Sequence, residues 1–272
     1  MNDPRSDAEV SRDVAQKAGR LLLDIRRDFM AANGPVQDRE VANRLRDHAD
    51  AASNELILDL LREARPDDAV LSEEAKDDSS RLTADRVWIV DPLDGTWEYG
   101  QDRVDFAVHI ALWADGSLSA CTVDLPAQEV TRSVLDVVEQ GRLTTDRPIR
   151  IVASRSRPPA VLDRVRDVLA RLLAEANVND HGVEIVDVGS VGAKVNEILS
   201  GRADAYIHDT GFYEWDVAAP YGVAEHYGLV CSHVSGEPIT FNHMPPYVTD
   251  LIVAQAELYP YLRQAIAEAS TQ

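Results

Sequence analysis

Apolar residues recur at Val10, Val14, Ala18, Leu21, Leu22 and Ile25, a spacing that predicts an amphipathic helix over about residues 7–29. Residues 31–46 lose that rhythm. They are polar and charged around Gly34-Pro35, and read as a mobile loop or a short hairpin. A second helix is expected over about 50–64, with Leu56, Ile57, Leu60 and Leu61 on one face and Arg65-Pro66-Asp67-Asp68 as its stop. The short apolar run 69–72 reads as a strand that ends in Glu73-Glu74, followed by a polar loop over 75–86. Val87-Trp88-Ile89-Val90 is apolar throughout and predicts a buried strand. Residues 106–113 and 117–123 predict a hairpin turned at Ala114-Asp115-Gly116, and 129–138 a further strand.

The pattern changes near residue 148. Strands are expected at 149–153, 183–187 and 203–208, with helices over about 158–176, 191–200 and from near 216. Strands at 230–232, 239–241 and 251–254 would close a second sheet, and a helix over 258–269 ends the chain. The alternation is α/β, whereas the first half is α+β. Two domains are therefore expected, 1–148 and 149–272.

A chain of 272 residues can bury a large core, and 45% hydrophobic with 27% charged residues is ordinary for a globular protein. The formal net charge of −20 is not, and it argues against nucleic acid polymers and anionic membranes as partners. An anionic ligand would need local cations to override that field. Cys121 and Cys231 offer no zinc spacing and suit a reducing compartment. No targeting segment and no run of membrane-spanning length is visible, so a cytoplasmic protein is expected.

The strand at 87–90 runs into Asp91-Pro92-Leu93-Asp94-Gly95-Thr96. Alone, this reads equally as a tight Asp-Gly turn. Two carboxylates at the end of a buried strand nevertheless ask for a cation, because like charges at short range resist joint ionisation. Glu73-Glu74 and Glu214-Trp215-Asp216 place further carboxylates at element ends, although Asp216 also suits a helix N-cap and the glutamates a solvated pair. Oxygen donors of this kind suit a hard cation such as Mg²⁺, and the seven histidines are scattered rather than clustered.

Glu73-Glu74, the Asp91 to Thr96 block, and Trp215-Asp216 with Ala218-Ala219 behind, in that order and spacing, resemble the lithium-sensitive, magnesium-dependent phosphomonoesterases typified by inositol monophosphatase. The resemblance spans nearly the whole chain. It implies an α-β-α-β-α sandwich of two sheets and three helix layers, two to three Mg²⁺ per site, lithium inhibition and a homodimer. Glu73, Asp91 and the Leu93 carbonyl would hold one ion, and Asp91, Asp94 and Asp216 another. Thr96 would pair with an aspartate before the glutamates, for which Asp50 fits and Asp47 is a rival. That pair would orient and deprotonate a water.

Substrate selection rests on residues 153–157, with Ser154, Arg155 and Arg157; on Gly189, Ser190 and Lys194; and on Glu214, with Gly95 and Thr96 at the phosphate itself. These stretches resemble the bisphosphate nucleotidase (CysQ) branch, which removes the 3′-phosphate of 3′-phosphoadenosine 5′-phosphate, a product of sulfate assimilation. Arg155, Arg157, Lys194 and the amides of the helix start near Ser190 would hold the second phosphate. An inositol-1-phosphatase, a fructose-1,6-bisphosphatase or a non-catalytic binding module on the same scaffold are the alternatives.

Overall fold

The computed structural model describes residues 3–36, 38–138 and 142–271. The first half runs α1 (Asp7–Asn33), α2 (Arg39–Ala64), β1 (Ala69–Ser72), β2 (Arg86–Asp94), α3 (Thr96–Gly100), β3 (Ala107–Ala114), β4 (Ser117–Leu125) and β5 (Val130–Ser133). The second runs β6 (Ile149–Ser154), α4 (Leu162–Glu175), β7 (Val183–Val188), α5 (Val191–Leu199), β8 (Ala205–His208), β9 (Phe212–Tyr213), α6 (Glu214–His226), β10 (Val230–Ser232), β11 (Tyr247–Val248), β12 (Leu251–Ala254) and α7 (Tyr259–Ser270).

Strands β1 to β5 form one sheet in chain order, with β1 and β2 parallel and the other pairs antiparallel. The second sheet has the order β10-β12-β8-β6-β7, and β9 pairs with β11 apart from both. Alternation along β2 shows the layering. Trp88 and Val90 face a core shared with α1 and α2, whereas Val87 and Ile89 face a central core shared with α5, α6 and the second sheet. A third core, including Ile151, Leu169, Ile207 and Leu262, lies between the second sheet and α4 and α7. The α-β-α-β-α order implied by the sequence resemblance is the one observed.

Residues 31–33 and 39–46 are helical rather than a loop. Helix α1 continues to Asn33, and α2 starts at Arg39 behind Asp38, whose carboxylate accepts from the Val41 amide at 2.8 Å. Ala42, Leu45 and Ala49 are buried at helical spacing beneath exposed charges, and that sparse stripe is enough to seat the helix. Gln37, also in that stretch, lies outside the described residues. The strand expected over 129–138 is only Val130–Ser133, because the Asp136 carboxylate takes the Ser133 amide at 2.8 Å and turns the chain. Pro158-Pro159 delays α4 to Leu162. Residues 239–241 form no ladder: Ile239 and Phe241 pack in the central core while their backbone leads into a turn at Asn242-His243.

That turn is clasped from two sides. Arg81, 1% exposed, donates to both Asp77 carboxylate oxygens at 2.8 and 2.9 Å, to Asn242 Oδ1 at 2.6 Å and to the His243 carbonyl at 2.7 Å. Glu214 accepts from the Asn242 and His243 amides at 2.7 and 2.8 Å. The loop after Glu73 is thereby fixed to the start of α6, which carries Asp216. Removing one member of a buried charged network costs about 3–5 kcal/mol. Arg81→Met is therefore expected to lower Tm by roughly ten degrees, read by differential scanning calorimetry. Arg27→Met, which removes two exposed ion pairs, should move Tm by about a degree or less.

Candidate active site

β1 and β2 end side by side, and the Glu73 amide still bonds to the Val90 carbonyl at 3.3 Å, so Glu73 leaves the sheet next to Asp91. A register shift between Asp91 and Asp94 in the β2–β3 pairing loosens the ladder where the two aspartates sit. Asp216 arrives from the first turn of α6. One carboxylate oxygen from each of Asp91, Asp94 and Asp216 lies within 4.8 Å of the others.

Each aspartate has one oxygen held by backbone amides. Asp91 Oδ1 accepts from Leu93 at 3.0 Å, Asp94 Oδ2 from Val191 and Gly192 at 2.6 and 3.2 Å, and Asp216 Oδ2 from Tyr213 at 2.7 Å. Asp91 Oδ2 is buried and, among the described residues, has no hydrogen-bond partner. Burial, with the neighbouring negative charges, pushes Asp216 up to about 8, Glu73 up to about 7 and Asp91 well above the carboxylate range. An orphaned carboxylate oxygen among three other acids is the donor set a hard cation takes, so the residues fit a metal centre.

Several placements differ from the sequence reading. The amides opening α5 are not free for a substrate phosphate: Val191 and Gly192 hold Asp94, and Ala193 bonds to the Ser190 hydroxyl at 3.0 Å. Asp216 is not an N-cap but sits inside the first turn of α6. Glu214 does not face the cleft; fully buried, it spends both oxygens on the 242–243 turn. Successive helical residues point about 100° apart, so Glu214 and Asp216 cannot share one face. The Thr96 hydroxyl donates to the Leu93 carbonyl at 3.0 Å, and among the described residues no hydrogen bond joins it to Asp50 or Asp47. Asp50 lies on α2, where burial and then the charges of Glu74, Glu73 and Asp47 push it up to about 8.

A cleft of about 260 Å³ is lined by Glu73, the three aspartates, Leu93, Gly95 and Thr96, and by Ser154, Arg155, Arg157, Gly189, Ser190 and Lys194. Gly95 is left-handed, with φ 85°, and a side chain there would meet Ser190 and the Asp105 carbonyl. Three cations reach the cleft in different states. Arg155 is paired with Glu98 at 3.0 Å and Asp105 at 3.1 Å. Lys194 is 3% exposed, donates to the Gly189 and Ser190 carbonyls, and is driven down to about 8 by burial. Arg157 is exposed, and among the described residues its guanidinium has no partner; only its amide bonds, to the Ser154 hydroxyl at 3.2 Å.

Glu98, Asp105 and His109 were not singled out from the sequence. Asp105 accepts from Arg103, Arg155 and the Gly189 amide at 2.9, 3.1 and 2.9 Å, while its carbonyl takes the Ser190 amide at 3.1 Å. It is the main polar seam between the two sheets beside the cleft. Nothing in the local sequence marks it, because all but Arg103 of its partners come from beyond residue 150.

A family model described as "Inositol monophosphatase family" matches residues 3–271. A Mycobacterium leprae (strain TN) protein named 3′-phosphoadenosine 5′-phosphate phosphatase is 42% identical over 277 residues, covering 97% of this chain and 94% of its own. The 3′(2′),5′-bisphosphate nucleotidase CysQ of Escherichia coli (strain K12) is 31% identical over 71% of this chain and 78% of its own. The crystal structure of CysQ from Bacteroides thetaiotaomicron matches with TM-score 0.70 at 26% identity, covering 93% of this chain and 98% of that one. Inositol monophosphatase II of Staphylococcus aureus MSSA476 matches with TM-score 0.70 at 19% identity, a likeness of fold alone. Among the described residues no helix is long and apolar enough to cross a membrane.

The raised carboxyls make stability depend on pH in a stated direction. An unfolded chain releases their protons near pH 4, whereas the folded chain keeps those of Glu73, Asp50 and Asp216 to between about 7 and 8. Between these limits the folded state holds more protons, so stability falls as pH rises. In chelator, Tm should drop from pH 5 to pH 8, and Asp91→Asn, which removes one charge from the cluster, should flatten that drop. An unchanged slope in the variant would contradict the charge crowding.

Proposed function

The chain belongs to the inositol monophosphatase family, and we propose that it hydrolyses the 3′-phosphate of 3′-phosphoadenosine 5′-phosphate, and of its sulfated form, to leave a 5′-nucleotide and phosphate. The observation carrying this reading is the cleft itself, which brings together an acidic cluster and an arginine that is unpaired among the described residues, in a chain 42% identical to a phosphatase named for that substrate. A bisphosphate needs two anion sites, and this cleft offers two of different chemistry.

Glu73, Asp91, the Leu93 carbonyl, Asp94 and Asp216 would hold two to three Mg²⁺. When bound, these ions supply charge neutralisation at the phosphate and a lowered water pKa. The chain supplies the rest. Gly95 and Thr96 line the cleft beside the cluster and bind the scissile phosphate. Thr96 would turn its hydroxyl from the Leu93 carbonyl to the attacking water, and Asp50 would receive the proton once bound cations offset the burial and neighbouring charges that raise its carboxyl to about 8. Arg157 takes the phosphate that is kept, with Lys194 and Ser154 beside it, and Arg155 orders the wall through Glu98 and Asp105. Residues 1–148 form one domain with most of the metal ligands, and 149–272 a second that brings Asp216 and the substrate contacts. A cytoplasmic homodimer working in sulfate assimilation, inhibited by lithium, completes the proposal.

Asp94→Asn keeps volume but removes a cluster charge, and kcat should fall by about a hundredfold or more. Full phosphate release by the folded variant would contradict the metal reading.

Arg157→Ala tests the substrate. A charge-assisted hydrogen bond contributes about 1.5–3 kcal/mol, so kcat/KM on 3′-phosphoadenosine 5′-phosphate should fall roughly ten- to a hundredfold. Activity on inositol 1-phosphate, which has no second phosphate, should hold. If the parent enzyme prefers inositol 1-phosphate or fructose 1,6-bisphosphate, the nucleotide reading fails.

A further inference from the structure

His109 lies on β3 directly across from Asp91 in the sheet and is 0% exposed. Among the described residues its Nε2 has no hydrogen-bond partner, and it stands 3.3 Å from Asp94 Oδ2. Its Nδ1 lies 3.4 Å from the Trp215 carbonyl, one residue before Asp216. On the third side is Gly192 of α5, where a Cβ would come within 2.5 Å of Nε2. One ring thus touches the strand that carries Asp94, the helix whose amides hold it, and the helix that brings Asp216.

We infer that His109 is a positioning residue for Asp94. With its proton on Nε2, the ring would face Oδ2 with one N–H at 3.3 Å, adding to the Val191 and Gly192 amides that bond this oxygen and leaving Oδ1 free for the cation. Among the described residues Oδ1 has no hydrogen bond of its own. A neutral imidazole has one N–H to give. Giving it to a carboxylate forms a charge-assisted bond, roughly twice as strong as one to the Trp215 carbonyl. The outer partners of metal ligands commonly alter metal affinity about 10–100-fold when removed. The inference rests on the metal reading of the acidic cluster.

The test measures binding of Mn²⁺ alone, by electron paramagnetic resonance of the free ion, without turnover. His109→Leu fills the space but cannot donate, and Mn²⁺ affinity should fall about 10–100-fold. His109→Gln can offer an amide N–H in the same direction and should restore affinity to within a few-fold. Gly192→Ala pushes the ring aside without changing its chemistry and should also weaken binding, which gives a reading even where His109→Leu does not fold. Parent-like affinity in folded His109→Leu or in Gly192→Ala overturns the inference, and so does an equal loss in the Leu and Gln variants. Asp94→Asn separates the two readings. If it binds Mn²⁺ like the parent, the cluster is not the metal site. If it alone binds weakly, the cluster stands and only the role of His109 fails.

Discussion

Negative charges held a few ångströms apart where water is thin repel one another, and Asp91, Asp94 and Asp216 are held so, with the exposed Glu73 beside them. Much of the surrounding chain exists to tolerate that repulsion. Protons relieve it, which is why Glu73 and Asp216 hold theirs up to neutrality. Backbone amides relieve it further, one or two on each aspartate, and being part of strand and helix ends they need no reorganisation. The free oxygens that remain are those a cation would bind. The folded protein is thus strained electrostatically along the one axis that ligand binding relaxes.

The same demand explains the seams. An acidic cluster drawn from β2 and from α6 is only as well placed as the two sheets are with respect to each other. Two polar devices fix that relation on either side of the cleft. Asp105 gathers Arg103, Arg155, Gly189 and Ser190. Arg81 and Glu214 grip the 242–243 turn from opposite faces. Both lie in buried or half-buried ground, where such bonds are stronger than at the surface and more costly to break.

The Asp91 to Thr96 block was legible from sequence because its chemistry is local: strand, turn and carboxylates are consecutive. The layered fold was legible through the resemblance that block anchors. What the sequence hid was tertiary. The first half of α2 buries only Ala42, Leu45 and Ala49 among many charges, and charge density masked their spacing. Glu214 adjoins Trp215-Asp216 in the chain yet points elsewhere, since helical rotation separates them. His109 sits in an apolar strand run, indistinguishable from a core histidine until the strand opposite it is known. The α5 amides looked free because their partner, Asp94, lies almost a hundred residues earlier.

Arg157 has a kinetic consequence. It stands exposed at the cleft, and among the described residues no acid forms an ion pair with it, on a chain whose formal net charge is −20. An approaching polyanion is repelled by the whole molecule at long range and attracted by one guanidinium at short range. Salt screens beyond a Debye length, about 8 Å at physiological ionic strength, so it removes the distant repulsion before the close attraction. Capture then speeds up as salt is added, the reverse of ordinary electrostatic steering. Departing phosphate, once past the arginine, is driven off by the same field.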